Sequence, residues 1–95
     1  KATIKPQSVK DVFVRMLTAY GPFADYLRKH PFHHSQVERN DMGTFTSFDY
    51  TLLVTDELVD EILALGDKVE ITFPEKLRMK LLQKIGRIRN RYMVI

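Results

Sequence analysis

Cysteine is absent from the 95 residues, and so is tryptophan. Without cysteine there is no disulfide, no thiol nucleophile and no cysteine-based zinc site. A cysteine-free chain fits a reducing cytoplasm, which is the expected compartment. No apolar run approaches the roughly 18 residues of a spanning helix. Residues 1–10 also lack the apolar centre of a secretory signal. No membrane partner is therefore expected. No glycine-rich phosphate loop, nucleophile elbow or His-Glu-x-x-His run occurs. The expectation is a protein that is not an enzyme and uses no cofactor. Glycine and proline number four each, few enough that most mark the boundary of an element.

What remains is one domain's worth of chain. At this length, folding buries roughly 60–65% of the surface the unfolded chain exposes, enough for a single modest core. Apolar residues make up 44% and charged residues 28%, ordinary for a globular domain. The formal net charge of +3 slightly favours polyanionic partners. The chain opens on Lys1 rather than Met, which suggests a piece of something longer. Residues 1–10 hold Pro6, Gln7, Ser8 and three lysines, and are expected to be a linker from a missing upstream domain. Residues 11–95 are the expected domain.

From Asp11 apolar and polar residues alternate, with Val12, Val14 and Met16 on one face of a strand and Phe13, Arg15 and Leu17 on the other. Gly21-Pro22 opens a helix carrying Phe23, Tyr26 and Leu27, and Pro31 forbids its continuation. A polar stretch over residues 33–40 contains one clear apolar residue, Val37, and is expected to be a second strand. Asn40-Asp41-Met42-Gly43 then reads as a hairpin turn. Over residues 44–54, Phe48, Tyr50, Leu52 and Val54 share one strand face, with Ser47, Asp49 and Thr51 on the other. Thr55 reads as an N-cap followed by Asp56 and Glu57 in the first turn; Leu58, Ile62 and Leu65 form the stripe, and Gly66 ends the helix. Val69, Ile71 and Phe73 alternate as a fourth strand closed by Pro74. A terminal helix then runs from Glu75 to about Tyr92, with Leu77, Leu81, Ile85, Ile88 and Tyr92 on its expected buried side. The fold class is therefore α+β: a ferredoxin-like βαββαβ sandwich with an additional C-terminal helix, its helices covering one sheet face.

Three features could carry chemistry. The terminal helix has seven basic residues against a single acid, Glu75. At about 100° per residue, Lys76, Lys80, Lys84, Arg87 and Arg91 share one side of it. Such a stripe suits a polyanion, although a solvated helix face is the commoner meaning of the same pattern. The second feature is His30, His33 and His34. His33 and His34 are adjacent on the expected strand and should point to opposite faces, so a shared metal ion is not expected. The third is the open sheet face. With Val37 in the core, His34, Gln36 and Glu38 would look outward beside Phe13, Arg15 and Leu17, as on a covered surface. The carboxylates Asp56, Glu57, Asp60 and Glu61 read as a solvated helix face. An RNA-recognition module shares this element order. However, Met42-Gly43-Thr44-Phe45-Thr46-Ser47-Phe48 lacks the basic residue and aromatic spacing that its third strand requires.

Two stretches carry a family resemblance. Tyr26-Leu27-Arg28-Lys29-His30-Pro31-Phe32-His33-His34-Ser35-Gln36 resembles the helix-end and strand-start segment of the C-terminal extension of WYL-type bacterial transcriptional regulators, often called WCX. Residues 65–78, with Gly66, Val69, Glu70, Ile71, Pro74, Leu77 and Arg78, are similar to the signature that closes that domain's sheet and starts its last helix. Tyr92 stands where that helix usually ends on a tyrosine, while Thr72-Phe73 replaces the common Leu-Glu. The likeness spans residues 11–92.

The resemblance implies a ferredoxin-like accessory domain of a three-part regulator, with roles in effector sensing and dimer formation. It implies a WYL domain of the same or a partner chain as neighbour, and DNA reached through a missing helix-turn-helix domain. A nucleotide or single-stranded nucleic acid is the implied effector, and a homodimer the implied state of the full-length protein. The tryptophan of the WYL motif is absent, along with that domain. On this reading Arg15, Arg28, His34 and Gln36 are the candidate effector or domain contacts. The alternative is a free-standing basic nucleic-acid-binding module that uses the stripe Lys76, Lys80, Lys84, Arg87 and Arg91.

Overall fold

The computed structural model describes residues 11–18 and 21–93, so the expected linker over residues 1–10 lies outside the described residues. Along the chain run β1 (Val12–Thr18), α1 (Gly21–Lys29), β2 (Val37–Asp41), β3 (Thr46–Leu52), α2 (Asp56–Ala64), a 3₁₀ turn (Gly66–Lys68), β4 (Val69–Phe73) and α3 (Glu75–Met93). The four strands form one antiparallel sheet in the order β2-β3-β1-β4. This α+β arrangement is compatible with the expected ferredoxin-like sandwich. Among the described residues no helix is long and apolar enough to cross a membrane.

Local chemistry accounts for most boundaries. The Thr55 hydroxyl accepts the Leu58 N–H at 3.1 Å, capping α2 as its sequence anticipates. Gly66 follows the helix with φ +67°, a conformation that costs side-chain-bearing residues free energy. Between β2 and β3 the strand continues through Asp41, so the turn falls at residues 42–45. Gly43 takes φ +82° there and donates its N–H to the Asp41 carboxylate at 3.0 Å. The turn thus lies two residues further along than the expected residues 40–43.

One core lies between the sheet and the helices. Val14 and Met16 of β1, Phe48, Tyr50 and Leu52 of β3, and Ile71 of β4 supply its sheet side. Phe23, Ala24 and Leu27 of α1, Leu58, Val59 and Ile62 of α2, and Leu77 and Leu81 of α3 close it from above. Tyr26 instead lies exposed, stacked on Phe23 with ring centroids 5.6 Å apart.

β2 corrects the expected parity. Val37 lies opposite Asp49, on the outer face, while Glu38 lies opposite Phe48, whose side chain belongs to the core. The ladder shifts register between Glu38 and Asn40, which makes room for Arg39 as an extra residue. The physical reason is that Gln36 and Glu38 have polar partners on the helix side, while Val37 is half-buried on the outer face.

β3 is buried along its whole length on both faces. Its outer residue Asp49 has a side chain only 3% exposed, yet it is a carboxylate. Register explains how this is possible. Arg15 of β1 sits directly opposite and grips Asp49 with Nε at 2.8 Å and Nη2 at 3.0 Å. From the other neighbour, the Arg39 Nε lies 3.2 Å from the same carboxylate. The hydrogen bonds that Arg15 donates to Asp49, reinforced by the carboxylate's charge, raise the Arg15 pKa above its ordinary value. A buried charge is tolerated when it is paired and hydrogen-bonded in this way. Removing it strands two guanidinium groups that remain about half exposed and can rehydrate, which limits the loss. Asp49→Ala is expected to cost about 2 kcal/mol in urea unfolding, and Arg39→Ala less than about 1 kcal/mol.

Candidate functional site

The four residues singled out as effector or domain contacts do not converge. Arg15 lies on the outer sheet face, held by Asp49, with its guanidinium carbon 5.3 Å from the centroid of the Phe13 ring. Phe13 in turn lies 5.9 Å from Phe73, which β4 brings alongside. Both rings are exposed, so this face is apolar at one end and ionic at its centre.

Arg28 is on the last turn of α1, where it is surrounded by carboxylates. It binds Glu38 through Nε and Nη2, both at 2.9 Å, Asp25 through Nη1 at 2.6 Å, and Asp41 at 3.4 Å. The Glu38 hydrogen bond is the largest influence raising the Arg28 pKa, and the reciprocal bond lowers that of Glu38. Three acids leave this guanidinium little capacity for a further anion.

Gln36 is wired into the fold through both ends of its amide. Its Oε1 accepts the Tyr50 hydroxyl at 2.7 Å and the Phe32 N–H at 3.0 Å; its Nε2 donates to the Leu27 carbonyl at 2.9 Å. Burial pushes the Tyr50 phenol far above its ordinary range, so it stays a donor. One side chain thereby ties the end of α1, the following loop and the central strand. The expectation that Gln36 looks outward is corrected: its amide meets buried groups that need partners.

The histidines are also placed differently from expectation. Residues 31–36 form turns rather than a strand, and the His33 and His34 rings lie 4.2 Å apart instead of on opposite faces. His34 is exposed; His33 is half-buried. The Ser35 N–H donates to His33 Nδ1 at 3.1 Å, and Ser35 Oγ, 2.8 Å from the same nitrogen, accepts the Thr51 N–H at 2.9 Å. This chain staples the loop to β3. Among the described residues no three of His, Asp or Glu are grouped to hold a metal ion.

α3 corrects a further expectation. Of the stripe read as its buried side, only Leu77 and Leu81 are buried; Ile85 and Ile88 are 46% and 45% exposed and Tyr92 is 84% exposed. Nineteen residues make a helix of about 28 Å. Its neighbours are shorter: α2 has nine residues and β4 five, so the distal part of α3 projects past the core. The cationic residues Lys76, Lys80, Arg87 and Arg91 are exposed on it, while Lys84 pairs with Asp60 of α2 at 3.1 Å. Asp56 and Val59 of α2 join Lys80, Lys84 and Arg87 around a polar cleft, so acids border the middle of the stripe.

On the other flank, α2, β4 and α3 enclose an apolar cleft of about 240 Å³. Ile62, Val69, Ile71, Leu81, Leu82 and Ile85 line it, with Arg78 and Glu70 also contributing. Arg78 donates to the Ile71 carbonyl at 2.6 Å and sits 3.7 Å from Glu70. Sequence reasoning passed over this cleft because no single segment contains it. It also passed over Asp49, Arg39 and Tyr50. A carboxylate between Phe48 and Tyr50 in the most regularly alternating strand was the available signal for the first of these.

No protein-family model and no curated protein matches the chain.

The His33 staple has a pH dependence. Burial lowers the His33 pKa below its ordinary 6.5, and the charge of His34 lowers it further, against smaller upward pulls from Asp11 and Glu61. The folded form therefore binds fewer protons than the unfolded chain below pH 6.5. Stability from this group is complete above that value and is lost as pH falls through the folded pKa. The melting temperature is expected to fall as the pH drops below about 6.5. His33→Asn, whose side-chain oxygen can still accept the Ser35 N–H, is expected to flatten that drop in a pH-resolved melting series.

Proposed function

We propose that this chain is a WCX-like, ferredoxin-like C-terminal accessory domain of a WYL-type bacterial regulator. It performs no catalysis. It serves effector sensing, dimer formation or both for a cytoplasmic DNA-binding protein, next to a WYL domain. DNA is contacted by a helix-turn-helix domain elsewhere in that protein, and a nucleotide or single-stranded nucleic acid is its effector.

The observation that supports this reading is where the resemblance falls. In the first motif Arg28 ties α1 to β2, Gln36 ties the loop to α1 and β3, and Ser35, itself held by His33, ties the loop to β3. In the second, Gly66 takes the left-handed turn, Leu77 is buried and Arg78 holds the β4 carbonyl. Both stretches thus consist of fold-making residues, the kind of pattern that distinguishes one domain type from another. Residues engaged in this way are poor candidates for direct effector contact. Contact with an effector or neighbour is instead assigned to surfaces left uncovered, namely the Phe13–Phe73 end of the sheet and the projecting part of α3.

The alternative, a free-standing nucleic-acid module, rests on the exposed cations Lys76, Lys80, Arg87 and Arg91. Against it stand Asp56 and Asp60, which border the middle of that stripe and would repel phosphate. Fluorescence anisotropy of this chain with single-stranded and duplex oligonucleotides across a salt series separates the two. The accessory reading predicts binding no tighter than the roughly 10⁻⁴–10⁻⁶ M of non-specific contact near physiological salt. Tighter single-strand binding that collapses with salt, and with Lys80→Ala plus Arg87→Ala, would establish the alternative.

A further inference from the structure

The apolar cleft and the projecting stripe of α3 form one surface. At about 100° per residue, Leu81, Ile85, Ile88 and Tyr92 follow one another along α3 within one arc, so the stripe that lines the cleft continues beyond the core. Leu82 widens it on the cleft side. A contiguous apolar strip of this kind, carried on an otherwise polar helix, marks a contact site.

Charge selects the occupant. Bases flank the strip on both sides: Arg78 and Arg89 along one edge, Lys84 and Arg91 along the other, with Arg78 beside Glu70 and Lys84 paired to Asp60, so the occupant's charge is read by Arg89 and Arg91. From Lys76 to Met93 there is no acid at all. Asp56 and Asp60 of α2 lie toward Lys80 and Lys84, while the end beyond Ile88 is bordered by cations alone within α3. Two copies meeting α3 to α3 would set these cations against each other. A nucleic acid could stack a base on Tyr92, but it gains nothing from the aliphatic Ile85 and Ile88 or from the apolar cleft that continues them. A bilayer surface offers no ridge to enter a cleft floored by Val69 and Ile71.

We propose that this surface receives an acidic amphipathic helix of another protein, laid along α3 with its apolar anchors in the cleft and over Ile85, Ile88 and Tyr92. Its carboxylates meet Arg89 and Arg91 at the distal end. This is recognition of a helix in a groove, read through anchors about one turn apart. The inference rests on α3 and its neighbours, and stands whether or not the regulator assignment does.

The test uses the full 95-residue chain and two labelled peptides of about 18 residues, long enough to form a helix on binding. One carries leucine at positions i, i+3, i+4 and i+7 with glutamate on the remaining faces; the other replaces every glutamate by lysine. The acidic peptide is expected to bind in anisotropy titrations, with affinity falling as salt rises. Ile88→Ser with Tyr92→Ser, and separately Arg89→Glu with Arg91→Glu, are each expected to weaken it about tenfold or more. Because these side chains are exposed, the variants should retain the parent's unfolding midpoint, which shows that lost binding is not lost folding. Equal binding of the lysine peptide, or parent-like binding by both variants, overturns the proposal. So does a dimer in sedimentation that Ile88→Ser with Tyr92→Ser dissociates, since the occupant is then a second copy. Displacement of the acidic peptide by phosphatidylserine vesicles likewise overturns it in favour of a lipid surface.

Discussion

A carboxylate buried in the middle of the central strand constrains the sheet. Asp49 is hidden from water, so it must be neutralised by groups that its own strand cannot supply. Arg15 reaches it from β1 and Arg39 from β2, and both depend on register. A one-residue slip of either neighbour would turn its arginine to the helix side and leave a charge buried. The extra residue in β2 at Arg39 is understandable in these terms: the shift at this point accompanies the arginine's reach to β3. The ion cluster also decides the character of the outer face. Its centre is satisfied internally, and its apolar end at Phe13 and Phe73 remains open.

The same logic applies on the helix side. Gln36 and Ser35 satisfy a helix-end carbonyl, loop and strand amides and the Tyr50 hydroxyl, which would otherwise be stranded at the margin of the core. Arg28 holds the end of α1 against Glu38 of the edge strand. The residues that attract attention as polar, clustered and motif-forming are thus largely engaged in holding α1, its loop and the sheet together. Free capacity lies where hydrophobic side chains were given no neighbour, along the distal half of α3.

How much of this was legible in the sequence depended on whether a feature is local. The alternation through Phe48, Tyr50 and Leu52 locates β3, Thr55 announces α2, and Gly66 ends it, because each rests on nearest neighbours along the chain. The parity of β2 was not legible. One valine in a polar stretch suggested an inward face, whereas the hydrogen-bonding demands of Tyr50 and Leu27, distant in sequence, draw Gln36 inward. Periodicity likewise identified the apolar side of α3 correctly but not its cover. The spacing of Ile85, Ile88 and Tyr92 says that they share a face; only the lengths of α2 and β4 say that the core ends before them. The Arg15–Asp49–Arg39 cluster needed register, which no one-dimensional pattern contains.

The central claim is a division of labour: the polar loop after α1 is part of the rigid fold, and the distal part of α3 is an uncovered surface. Amide hydrogen exchange on the ¹⁵N-labelled chain tests it most directly, since protection follows local opening free energy. The account predicts that the Phe32, Ser35 and Thr51 amides, held by Gln36, His33 and Ser35, exchange as slowly as those of β1 and β3. Amides over residues 89–93 should exchange much faster than those near Leu81. Fast exchange at Phe32 and Ser35, with protection running evenly to the end of α3, would contradict it.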